Sequence, residues 1–313
     1  MNCLVTGGAG FIGSNLVKAL LEQGHSVRVL DNFSTGKREN LGPFQDRIEL
    51  IEGDIRSYHI VHEAARDIEV IFHQGALPSV PRSIADPITS NQVNVEGTLN
   101  ILNAARDTGV RRVAYASSSS IYGENSALPK REDMMPQPIS PYAVSKLAGE
   151  KYCQVFARTY SLETVCLRYF NVFGRGQDPK SQYAAVVPRF ITSFLDGSQI
   201  TVHGDGEQSR DFTFIDNVVQ ANILAATAEN ASGEVFNIAC NARMSLNQML
   251  GHIRDFTEND TEVVYGPSRA GDVKHSQADI QKARDMMGYN PQVSAEMGLR
   301  LSVEWYRAIR KKA

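Results

Sequence analysis

The fold class that the sequence predicts is α/β: a doubly wound parallel sheet joined to a smaller α/β substrate-binding domain. Three observations predict it. Short apolar runs of strand length alternate with helix-patterned stretches through about the first 170 residues. Those strands are of the buried, apolar type, as expected where both faces of a parallel sheet are covered. The first strand ends in a glycine-rich turn that opens directly into a helix.

Taken in order, residues 2–6 form a first strand, and residues 11–22 place Ile12, Leu16, Ala19 and Leu20 at helical spacing. Strands follow at 26–31 and 48–52, then a helix around 57–66 and a strand at 69–73. The rhythm continues with a long helix near 92–108, a strand at 112–117, a helix at about 142–160 and a strand at 164–168. After Asn171 it breaks. FGRGQDPKSQYAAVVP carries glycine and proline where a helix is due, and GDGEQSRDF is polar, so both read as binding loops of a second domain. Residues 216–228 and 235–238 return to the first domain's pattern. The expected division is therefore 1–170 plus about 212–239 for a dinucleotide-binding domain, and about 171–211 plus 240–313 for a substrate-binding domain.

With 32 Lys+Arg against 35 Asp+Glu, the net charge of −3 provides no broad basic face, so neither nucleic acid nor an anionic membrane is an expected partner. An acidic ligand must be held by local groups. Cys3, Cys153, Cys166 and Cys240 are far apart and form no CxxC pair, which points to packed thiols in a reduced compartment. No secretory leader is recognised at the start and no run approaches the ~20 apolar residues of a membrane span, so the expected location is cytoplasmic. His59 and His62 make an HxxH without acidic or cysteine partners, and no metal site is expected. His73 and His275 read as loop anchors.

In TGGAGFIG, Gly7, Gly10 and Gly13 lie between strand and helix. There, small residues permit a tight turn, the approach of backbone N–H groups to a pyrophosphate, and close helix packing. Asp31 ends the next strand, 18 residues past Gly13, where its carboxylate can accept from both adenosine ribose hydroxyls and would repel a 2′-phosphate. NAD is the expected cofactor. Asp54 and the Gly75–Ala76 turn also follow apolar strands, at the edge where such sheets bind ligands, and Asp54 could meet the adenine amino group.

SPYAVSK sets Tyr142 and Lys146 on one helical face. An ammonium near a phenol favours the phenolate, as does a positive nicotinamide, so Tyr142 is the expected base. Ser117, Ser118, Ser119 and Ser120 end a strand at the same edge and offer hydroxyls to a substrate oxygen.

TGGAGFIGS, Asp31–Asn32, Ser118 with Tyr142 and Lys146, RYFNVFG at 168–174 and SRDF at 209–212 together resemble the extended short-chain dehydrogenase/reductase family. Within it the chain is similar over nearly its whole length to the nucleotide-sugar 4-epimerases. The resemblance implies a Rossmann-type fold, a tightly held NAD, Tyr142 as base, Ser118 as its hydrogen-bonding partner and Lys146 on the nicotinamide ribose. The family's cofactor positions fall on Gly7, Gly10, Phe11, Ile12, Asp31, Asn32, Ser34, Asp54, Ile55, Gln74, Ala76, Asn94 and Tyr169, and Gly13 completes the glycine turn. Its diphosphate and uridine contacts fall on Asn171, Val187, Arg210, Arg269 and Asp272. It also implies a homodimer joined through the helices near 92–108 and 142–160.

Related dehydratases carry an acidic pair where this chain has Ser119 and Ser120, and decarboxylating relatives tend to carry a glutamate at Ser120. Serines cannot perform that proton transfer at neutral pH. What remains is oxidation at C4, rotation of the keto-sugar and return of hydride to its other face. The position of Ser276 is bulky in family members confined to plain hexoses and small in those admitting an acetamido group. The leading expectation is therefore interconversion of UDP-GlcNAc and UDP-GalNAc, with UDP-Glc/UDP-Gal as further substrates. Ser79, Arg82, Ser119, Gln177 and Ser276 are the sugar-pocket candidates, and Pro78 departs from the glycine usual in that branch. The alternatives are a UDP-glucuronate 4-epimerase, with Arg82 or Lys180 receiving the carboxylate, and a non-catalytic NAD-binding scaffold, against which the intact Tyr142, Lys146 and Ser118 argue.

Overall fold

A computed structural model describes residues 1–179, 185–267 and 274–310 of the chain. Its first half runs β1 (Asn2–Thr6), α1 (Phe11–Glu22), β2 (Ser26–Asp31), β3 (Ile48–Glu52), α2 (Tyr58–Ala64) and β4 (Val70–His73). Then come α3 (Val80–Ala85), α4 (Pro87–Asn91), a π-helical turn (Gln92–Glu96), α5 (Gly97–Thr108), β5 (Arg112–Ser118), α6 (Pro141–Tyr160) and β6 (Glu163–Tyr169). The later elements are β7 (Val172–Phe173), α7 (Val186–Asp196), β8 (Ile200–His203), β9 (Ser209–Arg210), β10 (Thr213–Phe214), α8 (Ile215–Thr227) and β11 (Glu234–Ile238). The described chain ends with β12 (Met244–Ser245), α9 (Leu246–Thr257), β13 (Val263–Gly266), α10 (Gln281–Met287) and α11 (Ala295–Arg310).

Seven strands form one sheet in the order β11-β6-β5-β4-β1-β2-β3, every pair parallel. From β1 the chain winds outward through β2 and β3, then returns to β4 on the other side of β1. This reversal opens a crevice at the carboxyl ends of β1 and β4. The later strands form two-stranded pairs: β7 with β10 and β8 with β13 parallel, β9 with β12 antiparallel.

The expected long helix around 92–108 proved to be the end of a longer helical run that starts at Val80. Pro81 and Pro87 take first-turn positions, where a missing N–H costs nothing, and Ser79 and Asp86 accept from Arg82 N (3.1 Å) and Thr89 N (3.0 Å) as caps. The helix expected at 57–66 is shorter, Tyr58–Ala64.

Alternation along the strands divides the core. Cys3, Val5, Ala114 and Ala116 face the layer that contains Leu16, Val17, Ala221 and Ala225 of α1 and α8. Leu4, Val113 and Tyr115 face the layer that contains Ile101, Cys153 and Phe156 of α5 and α6. The same period of two turns Ser117 toward α6. Helix α6 lies close over β5 because Gly149 has no side chain: a Cβ there would stand 2.2 Å from the Tyr115 hydroxyl, which is itself buried. Gly149→Ala is expected to lose about 1–3 kcal/mol in urea unfolding despite the gain in helix propensity, because Tyr115 has nowhere to move. A variant as stable as the parent would show that α6 does not need this approach.

Candidate active site at the carboxyl edge of the sheet

A cavity of about 1140 Å³ runs along the crevice, lined at one end by the glycine turn and Asp31 and at the other by Ser118, Tyr142, Arg210 and Ser276. Gly7 has φ +67°, and a Cβ on it would lie 2.8 Å from Gly75 Cα; a Cβ on Gly13 would lie 2.1 Å from the Gly7 carbonyl oxygen. Only glycine permits these approaches. Gly10 precedes α1, and no side chain caps the helix, so its first N–H groups face the cavity without a local acceptor. Asp31 is buried at the end of β2; its Oδ2 accepts from Ala9 N and its Oδ1 from Phe33 N, each at 2.9 Å. Burial raises its carboxyl above the usual range, against those two N–H groups.

Further along, Asn32 Nδ2 donates to Asp54 Oδ2 (2.9 Å), and the Arg56 guanidinium holds the Asp54 carboxyl down to about 2. Asn32, Ser34, Asp54, Ile55, Gln74, Ala76, Phe11 and Ile12 all line the cavity. Asn94 stands behind the lining: its Oδ1 accepts from Leu77 N at 2.8 Å and its Nδ2 donates to Ser145 Oγ at 3.0 Å. Tyr169 ends β6, with its hydroxyl 3.2 Å from Gln74 Oε1 and 3.1 Å from Asn222 Oδ1.

At the other end, Ser140 caps α6 by accepting from Ala143 N (3.2 Å), which fixes where Tyr142 enters the cavity. Ser118 hydrogen-bonds the Tyr142 phenol and lowers it, but burial outweighs this and the phenol lies above its ordinary value. Lys146 donates Nζ to Ala116 O at 2.8 Å, and burial pulls its ammonium down to about 8. The expected lowering of Tyr142 by Lys146 is thus not what this structure displays: the ammonium is engaged by a β5 carbonyl, and desolvation dominates the phenol.

Among the sugar-side candidates, Ser119, Asn171, Gln177, Arg210 and Ser276 line the cavity. Asn171 Nδ2 donates to Asp211 O (3.0 Å), and Arg210 Nη1 to Ser209 O (3.0 Å) and Lys274 O (3.1 Å). Ser79 and Arg82 lie on α3 outside the lining, and Val187 is packed in the apolar core of α7. Arg269, Asp272 and Lys180 fall outside the described residues. His59 is exposed, and no group of His, Cys, Asp and Glu able to hold a metal is found among the described residues.

A profile of the NAD dependent epimerase/dehydratase family matches residues 3–239. The chain belongs to this family. It is 39% identical over 311 residues to the UDP-glucose 4-epimerase of Mycolicibacterium smegmatis, covering 98% of this chain and 99% of the relative. Among solved structures, it is similar to UDP-glucose 4-epimerase of Thermotoga maritima with UDP-glucose (TM-score 0.94, 40% identity, 99% and 100% of the two chains). It is also similar to UDP-N-acetylglucosamine 4-epimerase of Methanobrevibacter ruminantium M1 in complex with UDP-N-acetylmuramic acid (TM-score 0.93, 40% identity, 98% of each chain).

The family's NAD fits the residues present. The glycine turn leaves space that any Cβ would fill, the start of α1 offers uncapped N–H groups to a pyrophosphate, and the Asp31 carboxyl lines the same end of the cavity. Several residues that shape this epimerase/dehydratase site were missed in the sequence. Asn222 on α8 holds both Tyr169 and Gln74. Lys37 pairs with Asp178 at 2.7 Å, joining the loop after β2 to the loop after β7. These contacts link residues 53 to 148 positions apart, so no local pattern announces them.

His73, expected as an anchor, is one. Its Nδ1 meets Thr6 Oγ1 at 2.7 Å and its Nε2 meets Thr98 Oγ1 at 3.0 Å, while Thr6 Oγ1 also accepts from Gly75 N at 3.1 Å. Burial lowers His73 from 6.5 to about 3. Because the unfolded chain binds the proton first, the stability His73 contributes is full above pH 6.5 and declines as pH falls toward 3. Unfolding free energy measured from pH 7 to 4 is expected to fall less steeply in His73→Gln than in the parent. Equal slopes would remove His73 from the account of acid lability.

Proposed function

We propose that the chain is a UDP-sugar 4-epimerase whose preferred substrates are UDP-GlcNAc and UDP-GalNAc, with UDP-Glc and UDP-Gal also accepted. The observation that carries this reading is that Tyr142 and Ser118 line one end of a cavity whose other end fits a dinucleotide, with Lys146 buried one helical turn after Tyr142. Similarity to 4-epimerases over nearly the full chain supports it. Serines at 119 and 120 leave no second carboxyl for elimination or decarboxylation. The small side chain of Ser276 in the lining leaves room for an acetamido group, in keeping with a relative whose structure holds UDP-N-acetylmuramic acid.

NAD, when bound, supplies reversible acceptance of hydride from C4. Tyr142 takes the proton of the C4 hydroxyl as that hydride leaves and returns it to the reduced product. Ser118 hydrogen-bonds the same oxygen and the phenol, holding both in line. Lys146, one helical turn after Tyr142, orients the cofactor ribose. Arg210, with Asn171 and Gln177, holds the diphosphate and sugar while the keto-sugar rotates. Residues 1–170 with about 212–239 serve the cofactor in this reading, and the remainder serves the nucleotide-sugar.

We also propose that two copies pair through α6 and the neighbouring helices. Ile84, Ile88, Val144 and Val155 expose 64, 71, 53 and 51% of their surface, an apolar stretch suited to a second copy. No helix among the described residues is long and apolar enough to cross a membrane, so that use of the patch has no support.

Tyr142→Phe is expected to lower 4-epimer formation from UDP-GlcNAc by at least about a hundredfold while the protein still binds UDP-sugar. Parental turnover in that variant would sink the assigned base. Ser276→Tyr should reduce activity on UDP-GlcNAc about tenfold more than on UDP-Glc. Equal loss on both removes the acetamido preference, and faster conversion of UDP-glucuronate than of UDP-GlcNAc by the parent replaces it.

A further inference from the structure

The buried ion pair between Glu150 and Arg168 is not used by the chemistry above. Glu150 follows Lys146 by one helical turn and Tyr142 by two, so the three share a face of α6. Its side chain is fully buried and that of Arg168, on β6, is 3% exposed. Both carboxylate oxygens are gripped: Arg168 Nε donates to Oε1 at 2.8 Å and Nη2 to Oε2 at 2.9 Å. The Ser117 hydroxyl donates to the same Oε1 at 2.5 Å, and Ser117 precedes Ser118 on β5. One carboxylate therefore ties the helix that carries Tyr142 to both strands beneath it.

The network continues toward the sugar side. Arg168 Nη1 donates to the Tyr122 hydroxyl (2.8 Å), which donates to Asn237 Oδ1 (2.7 Å). Asn237 Nδ2 donates to the carbonyls of Lys130 (2.9 Å) and Asp279 (3.1 Å), in the segment that carries Ser276. A buried pair costs several kcal/mol per ion in desolvation, and apolar side chains of equal volume often hold a core as well. What the charged pair adds is direction, because a bidentate fork accepts one geometry.

We propose that Glu150 and Arg168 are positioning residues, their ion pair with Ser117 setting where Tyr142 and Lys146 on α6 stand relative to Ser118 at the end of β5. The proposal rests on the reading that these three carry the chemistry. Glu150 also contributes charge: its carboxylate favours the Lys146 ammonium against burial. Lys146 is faced by Tyr142, Glu150 and Cys153 from its own helix, by Tyr115 from β5 with its ring centroid 5.1 Å away, and by His73 from β4. Glu150 is the acidic group in that set.

The test compares Glu150→Gln, Ser117→Ala and the double variant Glu150→Met/Arg168→Met with the parent as purified holoenzyme. Turnover of UDP-GlcNAc, its pH profile, thermal unfolding and amide hydrogen exchange over 117–122 and 141–150 are measured. The double variant, which leaves no orphaned charge, should unfold within a few degrees of the parent yet lose about tenfold or more in kcat, with KM changed less than about twofold. In Glu150→Gln the alkaline limb of kcat should move to lower pH, while Ser117→Ala, which keeps the charge, should lose kcat without that movement. Exchange in the two segments should quicken in each variant. Should Glu150→Gln not fold, the double variant and Ser117→Ala decide. A double variant with parental kcat and parental exchange overturns the positioning role, as does a kcat loss that merely tracks unfolding. A parent that converts no UDP-sugar would defeat the proposed function, and the exchange measurement would still decide the clamp.

Discussion

A parallel sheet covered on both faces has one place for polar chemistry: the edge where its strands end. Apolar layers occupy both faces of this sheet, and the reversal between β1 and β4 opens that edge into a crevice. Much of the candidate site is hung there. The glycine turn follows β1, Asp31 ends β2, His73 ends β4, Ser118 ends β5 and Tyr169 ends β6. Each side chain comes from a different strand, so their spacing is set by strand register and is no looser than the core itself. Tyr142 and Lys146 come instead from a helix, and α6 must be held to the sheet by something more directional than apolar contact. Gly149 against Tyr115 sets its height, and the Glu150 carboxylate between Ser117 and Arg168 is suited to set its position along the strands.

The charge balance acquires meaning in the same geometry. A chain of net charge −3 has no general attraction for a dinucleotide or a UDP-sugar. Uncapped N–H groups at the start of α1 address one anion, and Arg210 reaches the cavity at the other end. Most remaining cations near the site are committed: Arg56 to Asp54, Lys37 to Asp178, Arg175 to Asp216 and Arg168 to Glu150.

Much of this was legible in the sequence, because the informative residues are local. TGGAGFIG declares its turn through glycines that only a close approach requires, and the sheet strands declare themselves by short, largely apolar runs alternating with helical patterns. Tyr142 and Lys146 declare a common face by their spacing. What escaped was of two kinds. Helices α3 and α4 begin with prolines, whose local meaning is the same at a loop and at a first helical turn. The links of Glu150 to Arg168, Asn222 to Tyr169 and Lys37 to Asp178 join segments that only the sheet order brings together. The electrostatics escaped for a related reason: a Tyr–Lys spacing says nothing about burial, and burial outweighs the Ser118 hydrogen bond at Tyr142.

The central claim is that the hydrogen at C4 of a UDP-sugar leaves and returns within one site, without exchange with water. The direct measurement is to incubate the purified holoenzyme with UDP-GlcNAc in deuterium oxide, with no added cofactor, and to read C4 of the product by NMR. The account predicts UDP-GalNAc carrying protium at C4. Deuterium at C4, or no 4-epimer from any of UDP-GlcNAc, UDP-Glc and UDP-glucuronate, would contradict it.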